Sequence, residues 1–351
     1  MFRYSVQRLL LALLTTIIIL SLTFFLVKLQ PFPPVLGKIP VQIAYYQKQV
    51  NLGYVLEYAT EQSQLSSRLL YSCQDEAGIW HYFYEKPIFD QYIAWVSGIF
   101  QGNWGLSNKI SPNVDAMVVI VGNGAADSRL LTTIKVNIWP VLISVPAGIG
   151  LGIWAALKKN KMTDHIISTL VMVFISVPSF ITIVFLLYIF AYQWHVLPSQ
   201  WPSSTAPTST KVLGYIIPTM ALSFGSICGY CRFTRAELTE VMSSDYLLLA
   251  RTKGLTKSQS ITRHALKNAM VPILPSILSE VIGLLGGSMI LESLYGIPGV
   301  GKLYITAINN NDYNVLMCDM SLYTLIGLVS GVFLDLSYGL IDPRIRMGAK
   351  K

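Results

Sequence analysis

Residues Arg235 to Met270 read RAELTEVMSSDYLLLARTKGLTKSQSITRHALKNAM, a charged stretch set between two long apolar runs. Its punctuation predicts two helices joined by a tight turn. Ser243 and Ser244 are placed to cap a short helix running through Lys253, with Asp245 favourable near its positive end. Gly254 supplies the left-handed position that ends it. Thr256-x-x-Gln259 is a capping box, so the next helix begins almost at once. On the first helix Tyr246, Leu249, Ala250 and Lys253 fall at i, i+3, i+4 and i+7 and share one face. A short helix lying across a membrane surface follows.

The flanking runs belong to a chain of 351 residues, 53% hydrophobic and 13% charged, with a mean hydropathy of +0.52. A soluble domain carries roughly 25% charged residues, so this is a membrane protein. Six stretches reach the ~20 apolar residues a helix needs to cross the hydrocarbon core. They run from about Leu9 to Leu29, Leu131 to Leu157, His165 to Tyr192, Val212 to Thr234, Met270 to Leu294, and Val315 to Leu340. The first follows Arg3 and Arg8, but its run is too long for a signal h-region and "KLQPFPP" offers no small-residue cleavage site, so it reads as a retained anchor. The organisation expected is residues 1–29 for the N-terminus and first span, 30–128 for an extracytoplasmic segment, 129–341 for a five-helix core, and 342–351 for a tail.

Positive charge orients the spans. With the N-terminus inside, the inner segments hold Lys158, Lys159, Lys161, Arg235, Arg251, Lys253, Lys257, Arg263, Lys267, Arg344, Arg346, Lys350 and Lys351, whereas residues 193–211 and 295–314 hold one lysine each. Both termini are therefore expected in the cytoplasm. The net charge of +8 does not suggest nucleic acid, because the basic residues are dispersed between apolar runs and not gathered on one face.

That orientation decides a second motif. "YGIPGVGKLY", Tyr295 to Tyr304, holds Gly-x-x-x-x-Gly-Lys, but Leu303 stands where a P-loop needs a Ser or Thr hydroxyl for Mg²⁺. The segment also falls on the outer side, away from ATP, and follows a span in which Gly283, Gly286 and Gly287 suit close helix packing. It is expected to be a turn and a helix start.

The segment from about Gln30 to Ser128 mixes Tyr45, Tyr46, Trp80, Tyr82, Phe83, Trp95 and Trp104 with Asp75, Glu76, Glu85 and Asp90, enough for a small outer domain. Its aromatics either contact a partner, fill a core of their own or sit in an interfacial belt. Four cysteines make no disulfide scaffold. Cys73 and Cys318 both fall outside the cytoplasm without being paired by the sequence. Cys228 and Cys231 form a C-x-x-C with no second pair or histidine for zinc, and read as small packing residues.

"DYLLLARTKGL" followed by "RHALKNAMVPIL" resembles the cytoplasmic loop of permease subunits of ATP-binding-cassette importers of the oligopeptide, dipeptide and nickel family, with Ala250 and Gly254 at its most characteristic positions. The broader importer consensus opens Glu-Ala-Ala, and Leu248 and Leu249 depart from it here. "FRYSVQRLLLAL", "QYIAWVSGIFQGNWGLS", "VPSF", "LESLYGIPGVGKL" and "LDLSYGLIDPRIR" are also family-like, and the first two resemble the first, B-type, of the family's two permeases. The resemblance covers residues 1–36 and 91–346 and fails between about Gly37 and Asp90, which look like an insertion.

The resemblance implies an all-α membrane protein with six transmembrane helices in the type I importer fold and an enlarged outer loop after the first. It implies a transporter subunit without a catalytic site, working with a second homologous permease, two ATPase subunits that carry ATP and Mg²⁺, and an extracytoplasmic binding protein, in the lipid of a prokaryotic cytoplasmic membrane. No cofactor or metal site of its own is expected. Asp245, Tyr246, Ala250, Arg251, Lys253, Gly254 and Leu255 take the coupling role, docking the short helix on an ATPase. Peptides, nickel chelates and other small solutes are carried by related importers, and no dense His or Cys cluster for nickel lines the outer path, which favours peptides.

Ionisable residues within spans are functional suspects. Glu280 falls mid-span, where it either faces the translocation path and meets a positive substrate terminus or hydrogen-bonds a neighbouring helix. Glu292 and Asp335 lie nearer span ends, at family-like positions that favour packing. Ser288 and Glu292 complete the candidate path. A competing reading, an intramembrane hydrolase with Ser288 as nucleophile and His165, His195 or His264 as base, fails on depth, since Ser288 lies in the outer half and none of these histidines is level with it.

Overall fold

The computed structural model describes residues 2–30, 37–62, 67–125 and 127–341, the side chains of Asp335 and Leu336 and those at both ends of this range excepted. Asp335 and the tail 342–351 therefore lie outside the described side chains. The chain divides into two compact units. A helical unit is built on Leu130–Lys302, with the start of the first helix and the later part of the last. A sheet-bearing unit comprises Leu10–Arg129 and Leu303–Leu325.

Among the described residues, five helical runs are long and apolar enough to cross a membrane: Val6–Lys28, Arg129–Leu157, Thr208–Met242, Lys257–Gly283 and Tyr313–Leu334. A sixth crossing exists if two shorter helices, Met162–Ile175 and Ser179–Gln193, form one span bent by 95°. The bend falls at Ser176–Pro178, where proline lacks the N–H that would continue the helix. The expected third span is therefore an elbow and not a straight rod.

In the helical unit, α5 (Arg129–Leu157), α6 (Met162–Ile175), α7 (Ser179–Leu186, followed by a π-helical turn to Gln193), α9 (Ile216–Met242) and α12 (Leu266–Gly283) surround the core. Small residues set the α5–α9 distance. A Cβ on Gly148 would meet Tyr230 Cβ at 2.6 Å, and one on Gly152 would meet Thr234 Cβ and the Cys231 carbonyl at 2.7 Å. Ser144, Gly148, Gly152 and Ala156 repeat every four residues along this buried stripe, the spacing by which membrane helices approach closely. Cys228 and Cys231 pack against Val171, Leu151 and Ile167.

The fifth span departs from expectation. The apolar run does not continue as one helix from Met270 to Leu294; the helix starts earlier, at Lys257, and ends at Gly283. Gly287 has a φ of +62°, and a separate short helix, Met289–Tyr295, follows. Hydropathy registers composition, whereas the glycines between 283 and 287 release the backbone from helical geometry.

The sheet-bearing unit adds β-structure to an otherwise helical chain. Strands β1 (Val55–Tyr58), β2 (Leu69–Gln74) and β3 (Trp80–Glu85) form an antiparallel sheet in the order β1-β3-β2. Helix α2 (Ile39–Asn51) packs against it, with Tyr46 stacked between Tyr71 and Phe83. Most aromatics of this segment thus build a core, while Trp80 is left 46% exposed. On β3, His81 lies 2.6 Å from Glu57 and 3.5 Å from Asp75. The hydrogen bond to Glu57, with help from Asp75, raises the basicity of the imidazole. Elsewhere in this unit the carboxylate of buried Asp312 accepts from Ser107 Oγ at 2.6 Å and from the backbone amides of Asn108, Lys109 and Ile110. Cys73 and Cys318 are both buried free thiols.

Candidate functional site: a surface helix and a polar cavity

Helix α10 spans Asp245–Thr252, and α11 spans Lys257–Ser260, followed by a π-helical turn, Ile261–Ala265. The turn between them follows the sequence closely. Gly254 has a φ of +91°, a conformation that L side chains rarely adopt. The amide of Gly254 donates to Arg251 O at 3.0 Å and that of Leu255 to Ala250 O at 3.4 Å, the two bonds of a Schellman motif. Thr256 and Gln259 form the reciprocal capping box, at 3.1 and 3.3 Å. The N-terminal cap differs from expectation. Ser243 and Ser244 turn their hydroxyls back to Glu240 O and Val241 O, satisfying the last carbonyls of α9 in place of the first amides of α10.

Tyr246, Leu249 and Lys253 are exposed and Ala250 is half-buried, so the predicted shared face points away from the protein. Asp245, Leu248, Arg251 and Gly254 are exposed as well, while Leu255 is half-buried. Leu247, to which no sequence motif points, is 1% exposed and anchors the helix. It packs in a cluster with Ala156 of α5, Leu238 of α9, Ile261 and Ala265 of the turn after α11, and Ala269 of α12. One side chain thus ties the surface helix to three long helices. Its flanking leucines have the same composition signal, so only tertiary contact singles it out.

A second feature of this end of the unit is equally silent in the sequence. Arg235, near the end of α9, donates to Asp164 of α6 through Nε at 2.5 Å and through Nη2 at 2.8 Å. Asp164 also accepts from the amide of Asn160. The pair is bidentate and locks α6 against α9; the 71 positions that separate its members in sequence hide it from local pattern reading.

Among the expected path residues, Glu280 and Ser288 come together and Glu292 does not. A cavity of about 220 Å³ is lined by Asn137, Pro140, Val141, Leu222, Ser226, Glu280, Gly283, Leu284, Gly287 and Ser288. Glu280 also lines a second cavity of about 360 Å³ with Pro275, Ser276, Ser279 and Leu334. Its Oε1 lies 3.5 Å from Ser144 Oγ. Among the described residues no histidine lines either cavity.

Glu292 is 2% exposed and closed into a cradle. Its carboxylate accepts from Thr133 Oγ1 at 3.0 Å and from the amide of Lys302 at 3.0 Å. Thr133 in turn accepts from the amide of Val300 at 3.0 Å. These amides open helix α14 (Val300–Asn309), so the start of that helix is closed by the protein's own Glu292 carboxyl group and Thr133 hydroxyl. A helix, not a strand, precedes it, and Lys302 Nζ caps Gly296 O at 3.2 Å. Glu292 is therefore a structural carboxylate and not part of the cavity wall.

Residues 148–347 match the family described as binding-protein-dependent transport system inner membrane component. The chain belongs to this family. It is accordingly a multi-pass inner-membrane permease of the ATP-binding-cassette importer class. It is 32% identical over 271 residues, 77% of its length and 83% of the relative's, to the dipeptide transport system permease protein DppB of Bacillus subtilis. It is 30% identical over 99% of its length and the whole of the dipeptide permease DppB of Lactococcus lactis subsp. cremoris. It is 29% identical, again over 99% of its length and the whole relative, to the oligopeptide transport system permease protein OppB of Escherichia coli K12.

Proposed function

We propose that this permease translocates dipeptides or oligopeptides across the cytoplasmic membrane, driven by ATP hydrolysed on separate subunits. The observation that carries the mechanism is the pairing of an exposed helix, α10, with a single buried anchor, Leu247. A short helix closed by a Schellman turn and pinned by Leu247 resists bending, so a push on its outer face moves α5, α9 and α12 together. One of the two ATPase subunits docks on Asp245, Tyr246, Ala250, Arg251, Lys253, Gly254 and Leu255, and closure of the ATPase pair on ATP switches the path from inward-facing to outward-facing. A second homologous permease completes that path and an extracytoplasmic binding protein delivers the substrate. α10 and both termini lie on the cytoplasmic side.

The peptide assignment is supported by relatives named as dipeptide and oligopeptide permeases. Measuring uptake of labelled di- and oligopeptides and of nickel in a strain lacking this gene, with and without the gene restored, tests it. Restored peptide uptake is expected; restoration of nickel uptake alone overturns the peptide reading. Cysteine cross-linking from Leu249→Cys to an ATPase subunit tests the docking face, and labelling of that cysteine from outside intact cells overturns the orientation.

A further inference from the structure

The helical unit holds a carboxylate whose surroundings are built to receive a cation. Glu280 sits one turn from the end of α12 and borders two cavities at once. Among the described residues no Lys or Arg lies within ion-pair distance of it, in contrast to Asp164, whose arginine is in place. Its protein contacts are hydroxyls. Ser144 Oγ is at 3.5 Å, a long contact, and the Tyr230 hydroxyl, which reaches Ser276 O at 3.3 Å, also reaches Glu280. A carboxylate offers about four lone-pair sites, so two hydroxyls leave acceptor capacity facing the cavities.

The end of α12 in this wall has the same polarity. Gly283 and Leu284 line the smaller cavity at the carbonyl end of α12, where the helix dipole favours positive charge. Asn137 donates to Leu284 O at 3.2 Å, which fixes that end against α5. A carboxylate at this depth is costly to keep without a partner, and a transient cationic partner removes the cost.

We infer that Glu280, with Tyr230 and Ser144, is the site that holds a primary ammonium group of the substrate during passage. Two sources supply such a group in a peptide, the free amino terminus and a lysine side chain. The ammonium's three donors match the carboxylate and the two hydroxyl oxygens. Pro140, Val141 and Leu222 give the same cavity an apolar side for the adjoining residue. The inference rests on the peptide reading above and deepens it, by naming the part of the peptide that is recognised.

The test uses the complete transporter in proteoliposomes with its binding protein at saturation. Three labelled probes are compared: trialanine, N-acetyl-trialanine and N-acetyl-lysyl-dialanine. The expected result is that the wild type carries the first and third at least about tenfold faster than the second, the scale of one charge-assisted hydrogen bond. Glu280→Gln should bring all three to similar rates, Glu280→Asp should restore part of the preference, and Tyr230→Phe should weaken it. An unchanged preference in Glu280→Gln, with peptides still carried, overturns the ammonium site and leaves the peptide reading standing. Should Glu280→Gln fail to assemble, an unchanged preference in both Glu280→Asp and Tyr230→Phe overturns it equally. Wild-type uptake of none of the three probes overturns the peptide reading itself, and the ammonium site with it.

Discussion

Two turns of the helical unit look alike in sequence and behave in opposite ways. Residues 253–256 and 296–299 each follow a short helix, each contain a glycine with positive φ, and each lead into a new helix. In the first, local caps satisfy the backbone and the side chains of α10 are left facing outward. In the second, the amides at the start of α14 turn inward onto Glu292 and Thr133, and Tyr295, Ile297 and Val300 are fully buried. A turn closed by its own caps leaves a surface free for a partner, whereas a turn closed by distant side chains becomes part of the core.

The sharpest break of this contrast is Gly254→Val. A β-branched residue in the left-handed region costs roughly 1–2 kcal/mol and displaces the exit of α10. The protein should still reach the membrane, but peptide uptake should fall at least about tenfold per ATP hydrolysed, as read by parallel uptake and phosphate release. Leu247→Ala comes next. Removing a fully buried leucine is expected to cost about 2–5 kcal/mol, lowering the melting temperature of the detergent-solubilised protein and loosening α10 so that trypsin cuts faster at the already exposed Arg251 and Lys253.

Glu292→Gln attacks the other turn. It replaces a charged acceptor with a neutral one at the α14 amides, for an expected loss of about 1–3 kcal/mol. It should lower the melting temperature without changing trypsin cleavage in α10; faster cleavage there would show that the two turns act as one. The smallest effect lies outside both, at His81. Its folded-state basicity is raised by Glu57 and Asp75, so the stabilisation is full below the unfolded imidazole value of about 6.5 and is lost as pH rises through the raised folded value. Melting curves should show a slightly steeper loss above neutral pH for the wild type than for His81→Gln.

What could be read from the chain follows the same contrast. Gly254, Thr256 and Gln259 act on neighbours within about five residues, the range of helix-capping motifs, so their turn is legible in the amino-acid order alone. The straight spans are legible too, because some twenty apolar residues in a row leave few alternatives. The break at Gly283–Ser288 is not, since an apolar glycine run satisfies a hydropathy window whether or not it is helical. The short strands of the sheet-bearing unit are hidden in a polar, aromatic segment whose pairing is settled between strands. Leu247 among its neighbouring leucines, Arg235 with Asp164, and Glu292 with Thr133 all depend on contacts that sequence proximity does not encode. Of the candidate path residues, Glu280 is marked by its place in an apolar run, whereas the residues of α5 and α9 that line its cavity are set by helix packing.

The elbow at Ser176–Pro178 sets a count for the whole polypeptide. Its arms have 14 and 15 residues, roughly 21 and 22 Å at 1.5 Å per residue, and each is shorter than the ~30 Å hydrocarbon thickness. Neither arm can traverse the bilayer alone. If each of the five unbroken candidate spans among the described residues crosses once, they make an odd number of passages and leave head and tail in different compartments. For both ends to share one compartment, this right-angled segment must itself be threaded through, so the geometry of a single bend governs where the tail is found.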